Sequence, residues 1–224
     1  MQKKLLLAFR DVLRRRGFWV ELTDGELVLD PWYSDVNFFE MTTILKVLRI
    51  NFGIGKRGIR ILPSAHVSDE IFRQIERFDR EKWYSYGISR WQEVPAFWPH
   101  DSRNDIRIKE LDRGIASLVF ALNKAGLYTT MSCDGHGKRP PKIWMRRRED
   151  AGTIRDILTE AAQQASFAYD WEIKKEYPNI VLTARKRLFA DEWDVGKIQD
   201  DAVTLSEYIY NNCCFAPEKR LKLS

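Results

Sequence analysis

The chain has 224 residues, a formal net charge of +5 and 44% apolar residues, enough to fill the core of one large domain or two small ones. We find no uninterrupted apolar run of about 18 residues and no secretory signal pattern, so the sequence predicts no membrane span and no membrane partner. Its three cysteines, two of them adjacent, form a poor disulfide framework and suit a reducing compartment, so we expect a cytoplasmic protein.

The first half, residues 1–82, begins with the periodicity of helix, strand, strand, helix and strand. These elements are predicted at 2–16, 18–22, 27–29, 35–52 and 59–62, and a further helix at 68–82. Gly17 suits a helix C-cap, and the pair Asp24-Gly25 is a strong hairpin signal between the first two strands. The basic cluster at 14–16 is interpreted as a solvated face, as are those at 56–60, 185–187 and 219–222. The cluster at 138–148 differs because it flanks the turn described below.

Three glycines after the second predicted helix form a Gly-x-Gly-x-x-Gly string at Gly53, Gly55 and Gly58. In dinucleotide-binding folds such glycines follow a strand and open a helix, because the helix N-terminus meets the pyrophosphate. Here they are predicted to follow a helix and enter a strand. We therefore interpret the string as a flexible turn rather than a nucleotide site.

Periodicity disappears between residues 83 and 105, where aromatic residues alternate with glycine and prolines. The segment is predicted to be a linker between the halves or a lid over the site. Aromatic side chains near basic residues can stack on nucleobases. The alternative is that they fill a gap between two layers.

The second half, residues 106–212, again begins with helix, strand, strand, helix and strand. The elements are predicted at 104–125, 127–133, 142–147, 150–165, 167–175, 180–184 and 195–212. We expect an α+β fold of two helix-strand-strand-helix-strand halves with mixed or antiparallel sheets, either packed together or as separate small domains. A basic tail at 213–224 follows.

The turn between the first two strands of this half concentrates reactive side chains. Cys133, Asp134 and His136 supply a thiol, a carboxylate and an imidazole, and we predict them to be catalytic, with His136 as a general base or a phosphate ligand. Gly135 and Gly137 suit positions where φ is positive or a ligand approaches the main chain.

Basic residues flank this turn. Lys138 and Arg139 are predicted to lower the thiol pKa of a nearby Cys133 below its ordinary value of about 8.5, because they favour the thiolate. The alternative is a tight glycine hairpin in which Cys133 is a buried small hydrophobe and His136 a surface residue.

Metal binding is a further alternative, because two residues separate Cys133 from His136, as in many zinc ligand pairs. The sequence lacks a second clear pair, so a metal-free turn is preferred. The remaining zinc ligands would come from His100, Cys213 or Cys214. A magnesium-dependent hydrolase would instead use Asp101, Asp105 and Asp134.

Two runs of this half carry a family resemblance: Ala121-Leu122-Asn123 and Tyr128-Thr129-Thr130-Met131-Ser132-Cys133-Asp134-Gly135. Together they resemble the core of the tRNA wybutosine-synthesising methyltransferase family, whose signature is Thr-Ser-Ser-Cys-Ser-Gly-Arg. It is also similar to uncharacterised bacterial and phage proteins with a Ser-Cys-x-Gly-His motif. The resemblance covers about residues 106–190. It implies that Ser132, Cys133 and Gly135 line a pocket for S-adenosylmethionine and a modified guanosine. Met131, Asp134 and His136 depart from the signature.

The leading interpretation is therefore an enzyme acting on nucleic acid or a nucleotide, such as a transferase that modifies RNA, with RNA or single-stranded DNA as its partner. Predicted substrate contacts are Ser132, Gly135, Gly137, Lys138, Arg139, Arg146, Arg147 and Arg148. A non-catalytic module that binds nucleic acid or a protein partner, and a structural zinc site, are the alternatives.

Overall fold

The computed structural model describes residues 2–62, 67–86, 95–98, 106–188 and 192–213. The chain divides into two units, Met1–Arg113 and Gly114–Ser224. Within the described residues each unit contains helices and one four-stranded antiparallel sheet, which confirms the predicted α+β class. Every helix in these ranges is too short or too polar to cross a membrane.

Unit 1 forms its sheet from two hairpins, in the strand order β1-β2-β4-β3. Its elements are α1 (Gln2–Arg16), β1 (Val20–Thr23), β2 (Glu26–Leu29), α2 (Asp35–Val47), β3 (Phe52–Ile54), β4 (Ile59–Ile61), α3 (Asp69–Glu76) and α4 (Arg80–Tyr86). The first hairpin turns at Asp24 and Gly25, both with positive φ, as two-residue hairpins prefer.

Unit 2 has the same strand order, β5-β6-β8-β7. Its elements are α5 (Ala116–Lys124), β5 (Thr129–Cys133), β6 (Lys142–Met145), α6 (Ala151–Gln164), β7 (Asp170–Glu176), β8 (Asn179–Arg185) and α7 (Val195–Cys213). The predicted apolar stripe of α7 is buried, and α7 packs on α5. All four strands of unit 2 were predicted from the sequence, whereas unit 1 has one strand, β3, that was not.

Three predicted helices have different bounds. The one predicted at 68–82 is divided into α3 and α4. The helix predicted at 35–52 ends at Val47 rather than 52, because Arg49 takes a left-handed conformation with φ of 54°, and the residues after it pair with β4 as β3. The helix predicted at 104–125 begins at Ala116, and its proposed cap at 104–105 lies outside the described residues. Of the linker predicted at 83–105, residues 83–86 belong to α4, whereas 87–94 and 99–105 lie outside the described residues, as does the tail from 214 onward.

The basic cluster of α1 is not wholly solvated as predicted, because Arg16 is buried. Its guanidinium donates to the carbonyl of Phe78 and lies 4.4 Å from the ring centre of Trp83. Burial lowers the pKa of Arg16 to about 9. Trp83, predicted to belong to the linker, is instead part of the core of unit 1.

The Gly-x-Gly-x-x-Gly string forms the β3–β4 hairpin and surrounds a carboxylate of the protein itself. The backbone amides of Lys56, Arg57 and Gly58 donate to Glu26 at 3.0, 2.9 and 3.0 Å, and the Arg60 guanidinium donates at 2.7 Å. These bonds, that of the Arg57 amide foremost, lower the pKa of Glu26 to about 2. The amides that a nucleotide phosphate would need therefore already bind an internal anion.

Candidate functional site

The site loop, residues 134–141, joins β5 to β6 in unit 2. In unit 1 the corresponding first hairpin has only Asp24 and Gly25 between its strands. The strand order is the same in both units, so the longer connection is not a requirement of the sheet. The additional residues of the site loop include the carboxylate next to Cys133, the imidazole and two cations: Asp134, His136, Lys138 and Arg139.

Three successive residues of this loop have positive φ: Gly135 (79°), His136 (51°) and Gly137 (72°). The left-handed region costs a non-glycine residue roughly 1–2 kcal/mol, and such strain persists only where the surroundings enforce it. A Cβ on Gly135 would lie 3.1 Å from the Pro140 carbonyl oxygen, and one on Gly137 would lie 3.3 Å from that of Trp193. The two glycines thus allow the tight turn that positions His136.

Asp134 is buried and is held by two backbone amides. One carboxylate oxygen accepts from the His136 amide at 2.9 Å, and the other accepts from the Gly114 amide at 3.2 Å. Gly114 permits this approach, because a Cβ there would lie 2.9 Å from the Cβ of Asp134. The carboxylate therefore has a defined position from which it can orient a neighbouring group.

The imidazole of His136 lies between this carboxylate and the thiol of Cys133. His136 Nδ1 is 3.3 Å from Asp134 Oδ1, and His136 Nε2 is 3.6 Å from Cys133 Sγ. When Nδ1 donates its proton to Asp134, Nε2 is the basic nitrogen that faces the thiol. The Gly135 amide also donates to the sulfur at 3.4 Å, an interaction that favours thiolate over thiol.

A groove of about 630 Å³ opens beside this arrangement, within the size range of small-molecule sites. Its walls are Cys133, Gly135, His136, Lys138, Arg139, Pro140, Lys142 and Trp144. The groove combines an aromatic and a proline surface with three cationic side chains. Lys142 forms an ion pair with Glu176 at 2.6 Å and lies 5.7 Å from the Trp144 ring centre.

Sequence reasoning missed Gly114, Lys142 and Trp144 as parts of the site. Strand register places the latter two: Lys142 pairs with Cys133 and Trp144 with Met131 across the β5–β6 ladder. Because cross-strand partners share a face of the sheet, the hairpin pattern itself was the signal for both. Gly114 has no comparable signal, since twenty positions separate it from Asp134.

Ser132 was predicted to contact substrate, but its neighbours in the sheet lie on the other face. Its cross-strand partner is Ile143, which is fully buried, whereas Cys133 pairs with Lys142 at the groove. Successive side chains of a strand point to opposite faces. The structure therefore does not bring Ser132 into the groove with Cys133.

The three arginines of the predicted substrate surface follow the far end of β6. Arg146 lies four positions after Lys142, which corresponds to roughly 13 Å along a strand. Arg147 forms an ion pair with Asp150 at 3.0 Å. Arg148 donates to the Pro178 carbonyl and lies 5.2 Å from the ring centre of Tyr177.

The additional metal ligands considered from the sequence are mostly not placed by the structure. His100, Asp101, Asp105 and Cys214 lie outside the described residues, and Cys213 is the last residue of α7.

Comparisons with protein-family models, curated proteins and solved structures find no match to this chain. The similarity to the wybutosine-synthesising methyltransferases therefore stays a prediction.

Proposed function

We propose that the protein is an enzyme that modifies nucleic acid, with the Cys133 thiol as its nucleophile. The observation that carries this proposal is that the Asp134 carboxylate, the His136 imidazole and the Cys133 thiol follow one another at hydrogen-bonding distances, where β5 meets the strained site loop at the edge of a groove. A nucleophile, a base and a group that orients the base are the parts that nucleophilic catalysis requires.

In this proposal His136 Nε2 accepts the thiol proton, and Asp134 stabilises the resulting imidazolium. The thiolate attacks an electrophilic carbon of a nucleobase and displaces a leaving group, which takes the proton from the His136 imidazolium. His136 Nε2 then takes a proton from water, and the resulting hydroxide displaces the sulfur from the same carbon. The released thiolate recovers its proton from the imidazolium, so the net reaction replaces the leaving group by a hydroxyl group. The Gly135 amide supports the thiolate through its hydrogen bond to sulfur.

The charge of the groove supports a phosphate-containing substrate. Lys138, Arg139 and Lys142 line it, and Trp144 adds a ring on which a base can stack. The same cations do not favour the sulfonium of S-adenosylmethionine, so the groove fits that cofactor poorly.

A second basic and aromatic surface supports a polymeric substrate. Tyr177 is 92% exposed at the β7–β8 turn, and the Arg148 guanidinium stacks on its ring. Arg146 is exposed nearby in sequence. A single strand that contacts both this surface and the groove would extend along β6. The three cysteines, two of them adjacent, form a poor disulfide framework, which supports the further proposal of a cytoplasmic location.

Salt-dependent binding tests the nucleic-acid part of the proposal. Phosphate contacts release counterions, so we expect affinity for a fluorescent single-stranded RNA to fall about tenfold or more between 50 and 200 mM salt. Alanine at three arginines should weaken binding at low salt: Arg146, Arg147 and Arg148. Alanine at Lys3, Lys4 and Arg10 removes equal charge from α1 and serves as the control. Equal affinity of the two triple variants for the RNA would contradict the proposal that Arg146, Arg147 and Arg148 bind it.

A metal centre is a second candidate, favoured by the distance between Cys133 and His136. A tetrahedral zinc ion with bonds of about 2.3 Å to sulfur and about 2.0–2.1 Å to nitrogen holds these atoms about 3.6 Å apart. The observed Sγ–Nε2 distance is 3.6 Å. Elemental analysis of protein purified without added zinc or chelator distinguishes the candidates. Near-stoichiometric zinc that is lost in both Cys133→Ser and His136→Asn would favour the metal centre over a nucleophilic thiol.

A further inference from the structure

Unit 1 contains a cavity of about 650 Å³ beside the C-terminal half of α2. The turn after α2 and strand β3 form its other walls. Most of its lining is apolar, from Phe38, Phe39, Ile50, Phe52, Ile54 and Pro95. Its volume and apolar lining are those of a small-molecule site, and none of the features proposed for Cys133 uses it.

Aromatic packing gives the cavity a preformed floor. Phe38 and Phe39 are buried. The Phe38 ring packs edge-on against Phe39 and Phe97, with ring centres 6.1 Å apart in each case, and lies 5.3 Å from Trp98. Ile54, another residue of the lining, is by contrast 55% exposed. The cavity therefore presents apolar surface that a ligand would remove from water.

Two cations, Lys46 and Arg49, line the same cavity. Neither side chain has a hydrogen-bond or ion-pair partner within the described part of unit 1. Burial lowers the pKa of Lys46, so its charge is partly desolvated, and no carboxylate among the described residues pairs with it. Arg49 occupies the left-handed turn that ends α2. The partial negative charge at the C-terminus of α2 explains one basic residue at this position. It does not explain why an aromatic cavity lies beside both Lys46 and Arg49.

We propose that this cavity binds a small amphipathic anion. The apolar or planar body of the ligand lies against Phe38 and Phe39, and its carboxylate or phosphate lies between Lys46 and Arg49. Thr42 and Asn51 supply further polar atoms at the wall. The chemistry recognised is one negative head group on an apolar body, which an acyl carboxylate and a nucleoside monophosphate both provide.

Fluorescence titration of the full chain with 1-anilinonaphthalene-8-sulfonate, an aromatic anion, tests the proposal. We expect saturable binding at one site. The double variant Lys46→Gln, Arg49→Gln should raise the Kd about tenfold or more, because each cation contributes a charge-assisted contact in a partly desolvated site. Both side chains are exposed in part, and circular dichroism verifies that the variant is folded. The pair Lys3→Gln, Lys4→Gln is the control of equal charge and should bind like wild type.

Competition then assigns the source of the anion. Displacement of the dye by octanoate supports an acyl carboxylate, and displacement by adenosine monophosphate supports a nucleoside phosphate. Failure of both competitors would overturn the proposal. So would a Kd that is the same in wild type and in the Lys46, Arg49 variant. Neither result bears on the Cys133 thiol, whose test uses a different unit.

Discussion

Replacing Glu26 by glutamine should destabilise unit 1 by removing the anion that the glycine-rich hairpin surrounds. Three backbone amides and the Arg60 side chain donate to its two carboxylate oxygens. Glutamine offers one oxygen, so one side of the amide cluster would face an NH₂ group. The Lys56 and Arg57 amides can regain water, but the Gly58 amide is buried. A hydrogen bond to a charged acceptor contributes about 1.5–3 kcal/mol, so we expect a loss of about 2–3 kcal/mol.

Urea unfolding at pH 7, followed by circular dichroism, measures this loss. Glu21→Gln is the matched control, because that carboxylate is half exposed in the neighbouring strand and pairs with Arg14. Exposed ion pairs contribute about 0–1 kcal/mol. Equal losses in the two variants, or a more stable Glu26→Gln protein, would refute the assignment of the hairpin as an internal anion site.

The pH dependence of the stability difference between wild type and Glu26→Gln provides a second readout. The pKa of Glu26 is lowered from 4.5 to about 2 in the folded chain, so between these values the unfolded chain binds more protons. The stabilisation is therefore fully present above pH 4.5, declines as pH falls and is lost below about 2. The gap between wild type and Glu26→Gln should shrink across this window. A gap of constant size would contradict the cause given.

Two further predictions concern the site loop. Asp134→Asn should slow alkylation of Cys133 at pH 7 about tenfold, as measured by peptide mass spectrometry, because the neutral amide no longer orients and stabilises the imidazole; an unchanged rate would remove Asp134 from the mechanism. Gly135→Ala should lower the free energy of unfolding in urea by about 1–3 kcal/mol, because φ is positive at this position and Pro140 is close. The control is Gly152→Ala in α6, where nothing lies near the added methyl group. It should be neutral or stabilising by up to about 1 kcal/mol. Equal effects of the two substitutions would refute the backbone argument.

Local signals predicted much of the fold correctly. The Asp24-Gly25 pair identified the first hairpin, and the apolar spacing of α7 identified its buried face, because turns and helix faces depend on residues close in sequence. The end of α2 was not predictable in this way. Arg49 has no intrinsic preference for the left-handed region, so its side chain gave no signal that the helix ends there. The conformation is instead accompanied by two local backbone bonds, in which the Arg49 amide donates to Lys46 and the Ile50 amide donates to Leu45. Burial of Arg16 depends on distant partners, Phe78 and Trp83.

The candidate site, too, was predictable from the sequence only where its residues are close together in the chain. Cys133, Asp134 and His136 were found because four consecutive positions contain all of them. Lys142 and Trp144 required the β5–β6 register, and the exclusion of Ser132 from the groove required knowing which face of β5 is buried. Gly114 supports Asp134 from another part of the chain, so neither periodicity nor composition could identify it.

Timed labelling of the native protein with iodoacetamide tests the central claim most directly. At pH 7 we expect Cys133 to react faster than Cys213 and Cys214, and His136→Asn to abolish the difference, since asparagine tolerates the left-handed backbone but supplies no base. A short single-stranded RNA should slow labelling of Cys133 in wild type. If Cys133 reacts no faster than the other two thiols, and RNA leaves its rate unchanged, the account of a nucleophilic thiol acting on nucleic acid is wrong.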